Sequence, residues 1–123
     1  MLMAKREHLK LSISELEAVP TAHNSGTKKI LTRGFNQPVL IKQVAVGTLS
    51  PGDVIEPHIH PDLDEYYMIL KGGGMMRVEE KIYKLSPGDF ILVTAGSEHE
   101  LRNDEQETIE FYYQSFQVLP VGS

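Results

Sequence analysis

Three histidines and a glutamate carry the chemistry this chain can do: His58 and His60 one residue apart, Glu65 five residues on, and His99 in a separate segment. On an extended strand, residues two apart project to the same face, so His58 and His60 can grip one ion together. Glu65 follows the segment 61–64, long enough to turn the chain and return a carboxylate from the next strand. Three imidazoles and one carboxylate suit Fe(II), Mn(II), Ni(II), Co(II) or Zn(II), and on a six-coordinate ion they leave two positions open. Taken singly, each residue has a plainer reading. A His-x-His pair is usually two surface side chains, Glu65 a solvated carboxylate, and His99, between Glu98 and Glu100, an exposed strand residue.

The elements that must position these groups read as strands. Apolar runs at 30–32, 39–49, 54–60, 65–71, 75–79, 82–85, 90–93, 99–103 and 108–118 are short and punctuated by Gly or Pro, which argues an all-β sandwich or barrel. One helical turn is expected within 12–19, capped by Ser14 with Glu17 three residues later and stopped by Pro20. Leu49-Ser50-Pro51-Gly52-Asp53 recurs as Leu85-Ser86-Pro87-Gly88-Asp89. Pro followed by Gly fits the central positions of a type II turn, and each copy launches a strand. Residues 1–29 are expected to form an arm and loop that pack on the barrel or a partner, 30–119 the barrel, and 120–123 a tail.

With 123 residues, 41% hydrophobic and 24% charged, there is material for one packed core and little room for a second domain. The net charge of −5 is made without a basic stripe, so no nucleic-acid partner is expected. The absence of cysteine removes disulfides, thiolate ligands, Fe–S clusters and a cysteine nucleophile, leaving metal binding to His, Asp and Glu. The longest apolar stretch, Tyr66 to Leu70, falls far short of the roughly 20 residues that span a bilayer. No membrane association is expected. The first eight residues lack the pattern of a cleavable leader, and a cytoplasmic location is the expectation.

Gly52, His58, His60, Glu65 and Gly72, in that spacing, resemble the first motif of the cupin superfamily position for position, and Gly88, Thr94, Gly96, His99 and Asn103 resemble the second. Thr94 stands where the family usually has Pro, a turn position and not a ligand. The resemblance covers Gly52 to Asn103. It implies a small antiparallel jelly-roll barrel holding one divalent transition metal through His58, His60, Glu65 and His99, with turn glycines at the conserved positions and Asn103 as a structural polar residue.

An ion with one carboxylate ligand keeps a formal charge of +1, so its open positions favour an anionic or chelating oxygen ligand. The expected function is a metal-dependent enzyme acting on a small oxygen-rich acid or sugar derivative by oxidation, decarboxylation or isomerisation. The alternative is a non-catalytic binding or sensing module that uses the metal as an anchor. By strand parity Tyr67 and Ile69 share the cavity with Glu65, and Leu101 and Asn103 share it with His99. Tyr67 is the best candidate for contact with a substrate. No side chain stands out as a dedicated general base, and the catalytic residues stay unassigned. Glu98 and Glu100 are expected at the rim or surface, Met75 and Met76 in the packing, and His8 and His23 in solvent. Arg33, Lys42, Arg77 and Arg102 are cations whose places the sequence leaves open. Unpaired sheet edges and the strand-forming material in the first thirty residues suggest a homodimer.

Overall fold

The computed structural model of the chain describes residues 6–32 and 36–120. The strands, in order, are β1 Leu9–Ser12, β2 Val19–Pro20, β3 Thr27–Lys28, β4 Val39–Leu49, β5 Val54–His58, β6 Asp64–Lys71, β7 Gly74–Val78, β8 Lys81–Leu85, β9 Asp89–Val93, β10 His99–Arg102 and β11 Ile109–Val118. They build a five-stranded sheet in the order β1-β9-β6-β11-β4, a four-stranded sheet in the order β5-β10-β7-β8, and the separate pair β2-β3. Neighbouring strands are antiparallel throughout. This is the two-sheet jelly roll that the strand pattern and the motifs imply.

The repeated pentapeptide folds the same way twice. Asp53 N–H donates to the Ser50 carbonyl at 2.9 Å and Asp89 N–H to the Ser86 carbonyl at 3.0 Å. In each copy the Asp carboxylate accepts the Ser backbone N–H at 2.9 Å. Gly52 and Gly88 both have φ of 89°, the conformation a type II turn demands at its third residue. Gly72 is needed for a second reason besides its φ of 71°. A Cβ there would lie 2.6 Å from the Thr108 carbonyl oxygen.

The core fills the space between the sheets with Tyr67, Ile69, Met76, Val78, Ile91, Val93, Leu101, Ile109 and Phe111, among others. Strand β9 is buried along its whole length, which accounts for the unbroken apolar run Phe90-Ile91-Leu92-Val93. Ile91 and Val93 face the core, while Phe90 and Leu92 face outward, join Phe116 and are covered by Leu11 and Leu31. A strand covered on both faces has no polar side to alternate.

The covering segment is where expectation and structure part. The helical run within 12–19 shrinks to one 3-10 turn, Ile13–Glu15, with Ser12 rather than Ser14 at its cap position. The Ser12 hydroxyl donates to Asp89 Oδ1 at 2.6 Å instead of capping the turn, and Val19 and Pro20 pair with β3. The arm supplies an additional strand: Leu9-Lys10-Leu11-Ser12 alternates apolar and polar and lies along β9 from Leu9↔Leu92 to Ser12↔Asp89. Residues 30–32, expected as a strand, form none. With β1 already on the β9 edge, Leu31 satisfies its apolar surface by packing instead. His8, expected in solvent, is half-buried, its Nε2 lying 2.7 Å from the Tyr83 hydroxyl, while His23 is exposed as expected. Arg33 and residues 121–123 of the tail lie outside the described residues. Among the described residues no helix is long and apolar enough to cross a membrane.

Candidate metal centre

Strand pairing brings the first two histidines of the site together. β5 and β10 pair so that His58 stands opposite His99, and the two rings lie 4.2 Å apart, centre to centre. The register slips by one residue between this pair and Leu101↔Ile55, a bulge of the kind that re-aims side chains. β5 ends at His58, short of the expected 60, and His60 follows in the connection with its ring centre 4.8 Å from that of His58. Gly96 N–H, donating to the His60 carbonyl at 2.8 Å, ties this connection to the loop before His99.

Glu65 arrives from the other sheet. On β6 it stands between Val93 of β9 and Ser115 of β11, and its side chain reaches across the interior. Glu65 Oε1 lies 3.0 Å from His99 Nε2 and 3.5 Å from His60 Nε2. One ligand atom from each of His58, His60, Glu65 and His99 falls within 4.8 Å of all the others. Metal–ligand bonds of roughly 2.1 Å separate donors on one ion by about 3 to 4.2 Å, so the set fits a single ion after a small closing movement.

Hydrogen bonds orient two of the rings. His58 Nδ1 lies 2.8 Å from the Glu56 carbonyl and His99 Nδ1 lies 3.1 Å from the Ser97 carbonyl. A carbonyl oxygen only accepts, so each Nδ1 carries the proton and each Nε2 presents a lone pair to the site. For His99 this sets up a conflict, because Nε2 then faces the Glu65 carboxylate, another acceptor, at 3.0 Å. Moving the proton to Nε2 transfers the conflict to Ser97. A neutral His99 cannot satisfy both neighbours. A metal ion bound between the two groups would remove the conflict.

Burial pushes the Glu65 carboxyl up, but the hydrogen bond and charge of His99, the charge of His60 and a hydrogen bond from Tyr67 outweigh it and hold the group below its ordinary range. Tyr67 is buried and donates its hydroxyl to Glu65 Oε1 at 3.0 Å. Burial, then the charge of Glu65, pushes the phenol well above its usual value, so it remains a donor.

His58, His60, Glu65 and Tyr67 line a cavity of about 370 Å³ whose wall continues through Gln43, Thr48 and Ser115 on the polar side and Ile55, Leu63 and Phe111 on the apolar side. His99 is 2% exposed and lies beneath it. Three larger clefts, of about 410, 560 and 580 Å³, hold none of the four donors.

The remaining candidates fall elsewhere. Glu98 and Glu100 point away from His99, as alternation requires, and hold Arg77 at 2.8 Å each. Glu100 also takes Arg102 at 3.0 Å and is buried rather than at a rim; the hydrogen bonds from Arg77 and Arg102 pull its carboxyl down. Lys42 is exposed on β4. Asn103 clamps the turn into β11, donating to the Leu49 and Glu107 carbonyls at 2.9 and 2.8 Å and accepting Glu105 N–H at 3.0 Å. Met76 is fully buried in the core.

Sequence reasoning missed three residues beside the centre: buried Asp64 next to Glu65, Arg6 paired with it, and the Thr94 hydroxyl. It also missed Gln43, Thr48 and Ser115 in the cavity wall. Strand alternation, which puts Ser115 on the face of Phe111 and Tyr113, was the one available signal.

Comparison with known proteins agrees with this architecture. A stretch of 55 residues, 45% of this chain, is 31% identical to the tetracenomycin polyketide synthase protein TcmJ of Streptomyces glaucescens and spans 37% of that protein's length. In structure the chain is similar to a predicted oxalate decarboxylase of Thermotoga maritima, with a TM-score of 0.60 and 23% identity over 95% of this chain and 100% of that one. It is also similar to a cupin protein of Bacteroides fragilis, with a TM-score of 0.59 and 17% identity over 78% of this chain and 88% of that one. The cupin domain pattern matches residues 45–114. That match covers more than half of the sequence, and this chain belongs to the cupin family.

Proposed function

We propose that this cupin is a metal-dependent enzyme that holds one divalent transition ion through His58, His60, Glu65 and His99 and acts on a small oxygen-rich acid or sugar derivative. The observation that carries this reading is convergence: one ligand atom from each of His58, His60, Glu65 and His99 lies within 4.8 Å of all the others. Bound there, the ion supplies Lewis-acid polarisation and, if it is Fe or Mn, access to oxygen chemistry. The chain's own residues do the rest. Glu65 offsets one unit of charge, so a ligand bearing a single negative charge or a chelating pair of oxygens is the best electrostatic match. Gln43, Thr48 and Ser115 offer neutral hydrogen-bonding groups for further oxygens, Tyr67 lies against the same space, and Ile55, Leu63 and Phe111 exclude water.

Oxidation, decarboxylation and isomerisation all fit such a site. Fold relatives include a structure described as oxalate oxidase and a candidate sugar phosphate isomerase of Acidithiobacillus ferrooxidans. A second reading, a metal-anchored binding or sensing module, is favoured by one observation. Besides the metal-ligand candidates, the titratable groups in the described cavity wall are the phenols Tyr67 and Tyr113, which leaves no ready general base. Metallated protein incubated with small hydroxy acids, oxo acids and sugars, with oxygen uptake and product formation recorded, separates the two. Turnover above that of free metal supports the enzyme; saturable binding without turnover supports the module.

We also propose a homodimer built on β4. Among the described residues this strand pairs only with β11, and along it Val39, Leu40, Ile41, Val44 and Val46 are 43 to 59% exposed. Between 39 and 49 the sequence places one lysine and no proline, so little guards the open edge. A second copy about a two-fold axis would pair β4 with itself, as an isologous interface requires.

A further inference from the structure

We infer that Arg6 and Thr94 form a latch that positions the metal ligands, a role resting on the metal reading above. Its parts lie outside the cavity. The Arg6 guanidinium grips Asp64 in a two-pronged ion pair, Nη1 to Oδ2 and Nη2 to Oδ1, at 2.5 Å each. Asp64 is 1% exposed and immediately precedes Glu65. The Arg6 carbonyl accepts the Thr94 hydroxyl at 2.6 Å, and Asp64 Oδ1 accepts the Ala95 N–H at 3.0 Å. One residue of the arm thus joins the start of β6, which carries Glu65, to the 94–97 loop, which leads into His99.

The loop passes that constraint on to the ligands. Ser97 N–H donates to the Thr94 carbonyl at 3.1 Å, Gly96 N–H to the His60 carbonyl at 2.8 Å, and the Ser97 carbonyl faces His99 Nδ1 at 3.1 Å. Three of the four ligands are therefore within one or two bonds of the latch. Register explains how the arm reaches it. β1 runs antiparallel to β9 with Leu9 opposite Leu92, so continuing the ladder brings residue 6 alongside 95. Thr94 stands at a position where a turn proline would fix the backbone by its ring; here a hydroxyl bound to the arm does that work. A bidentate guanidinium is also the group best suited to hold a buried carboxylate in one orientation.

Co(II) alone is the probe, because its visible d–d bands report coordination geometry and its titration reports affinity without any turnover. Arg6→Gln and Thr94→Val should each weaken Co(II) binding about ten-fold, the effect expected of outer-shell partners, and alter the band pattern. Thr94→Ser, which keeps the hydroxyl, should restore both. If Arg6→Gln fails to fold, the Val and Ser pair at 94 carries the test. Unchanged affinity and bands in the variants, with only a lowered Tm, would make the contacts purely structural and overturn the latch. A wild-type chain that takes up no Co(II) contradicts the metal reading itself, and the latch with it.

Discussion

His99 Nε2 and Glu65 Oε1 lie 3.0 Å apart although 34 residues separate them in sequence, one from each sheet of the barrel. Strand order alone makes this meeting possible: β6 is central in the large sheet and β10 lies between β5 and β7 in the small one. The site is thus a bridge across the core, and its electrostatics are linked to the stability of the fold.

Glu65 makes that linkage measurable. Its carboxyl is held below the ordinary value of 4.5, so the ionised form favours the folded chain at pH above that value. The stabilisation is lost as pH falls through the lower, folded-state value. The Tm of metal-free protein should drop on acidification below about pH 4.5, and Glu65→Gln should make that drop shallower. Identical acid limbs in the two proteins would show that Glu65 does not contribute.

Tyr67→Phe removes the hydroxyl that Glu65 Oε1 accepts at 3.0 Å and keeps the ring in the core. Metal affinity should weaken by about ten-fold or more, as for other second-sphere hydrogen bonds, with little change in the far-ultraviolet circular dichroism. Equal metal affinity in both proteins would limit Tyr67 to packing.

Gly47 and Phe111 define one wall of the cavity. A Cβ at position 47 would lie 2.6 Å from the tip of the Phe111 ring, which is 3% exposed and would have to shift. Gly47→Ala should cost about 1 to 3 kcal/mol through overpacking and change the ligand range, read by denaturant titration and the incubation screen. Wild-type stability would mean the ring shifts freely.

Sedimentation at micromolar concentration should give twice the 13.8 kDa chain mass. Val46→Lys, which places a charge on the open β4 edge, should shift the distribution toward monomer. A 13.8 kDa species alone in the wild type would refute the dimer.

The four candidate ligands were legible from their residue types together with the spacing of the two cupin-like motifs, because none was convincing taken singly. His58 and His60 lie one residue apart just after the first Ser-Pro-Gly-Asp turn, although β5 ends at His58, while the second such turn opens β9, which carries no ligand and leads through the 94–97 loop to His99. What sequence could not disclose depends on pairing between distant segments. Arg6 and Asp64 are 58 positions apart, and their meeting follows from the β1–β9 register. Phe90 and Leu92 read as one apolar run with Ile91 and Val93 until the arm is seen to cover the second face. Gln43 and Thr48 reach the cavity through the β4–β11 ladder, whose register shifts between Ser115 and Phe116. Glu100 looked solvated because the arginines that bury it, Arg77 above all, come from other positions on the small sheet.

The central claim is that three imidazoles and one carboxylate hold a single ion. Elemental analysis of untagged protein at neutral pH, and again after dialysis at about pH 4, tests it most directly, because protons compete with metal for imidazole nitrogen. The account predicts close to one divalent transition ion per chain at neutral pH, loss of it on acidification, and no retained ion in alanine variants of His58, His60, Glu65 or His99. Metal kept quantitatively at about pH 4 would contradict imidazole ligation, and so would full metal content in the His99→Ala protein.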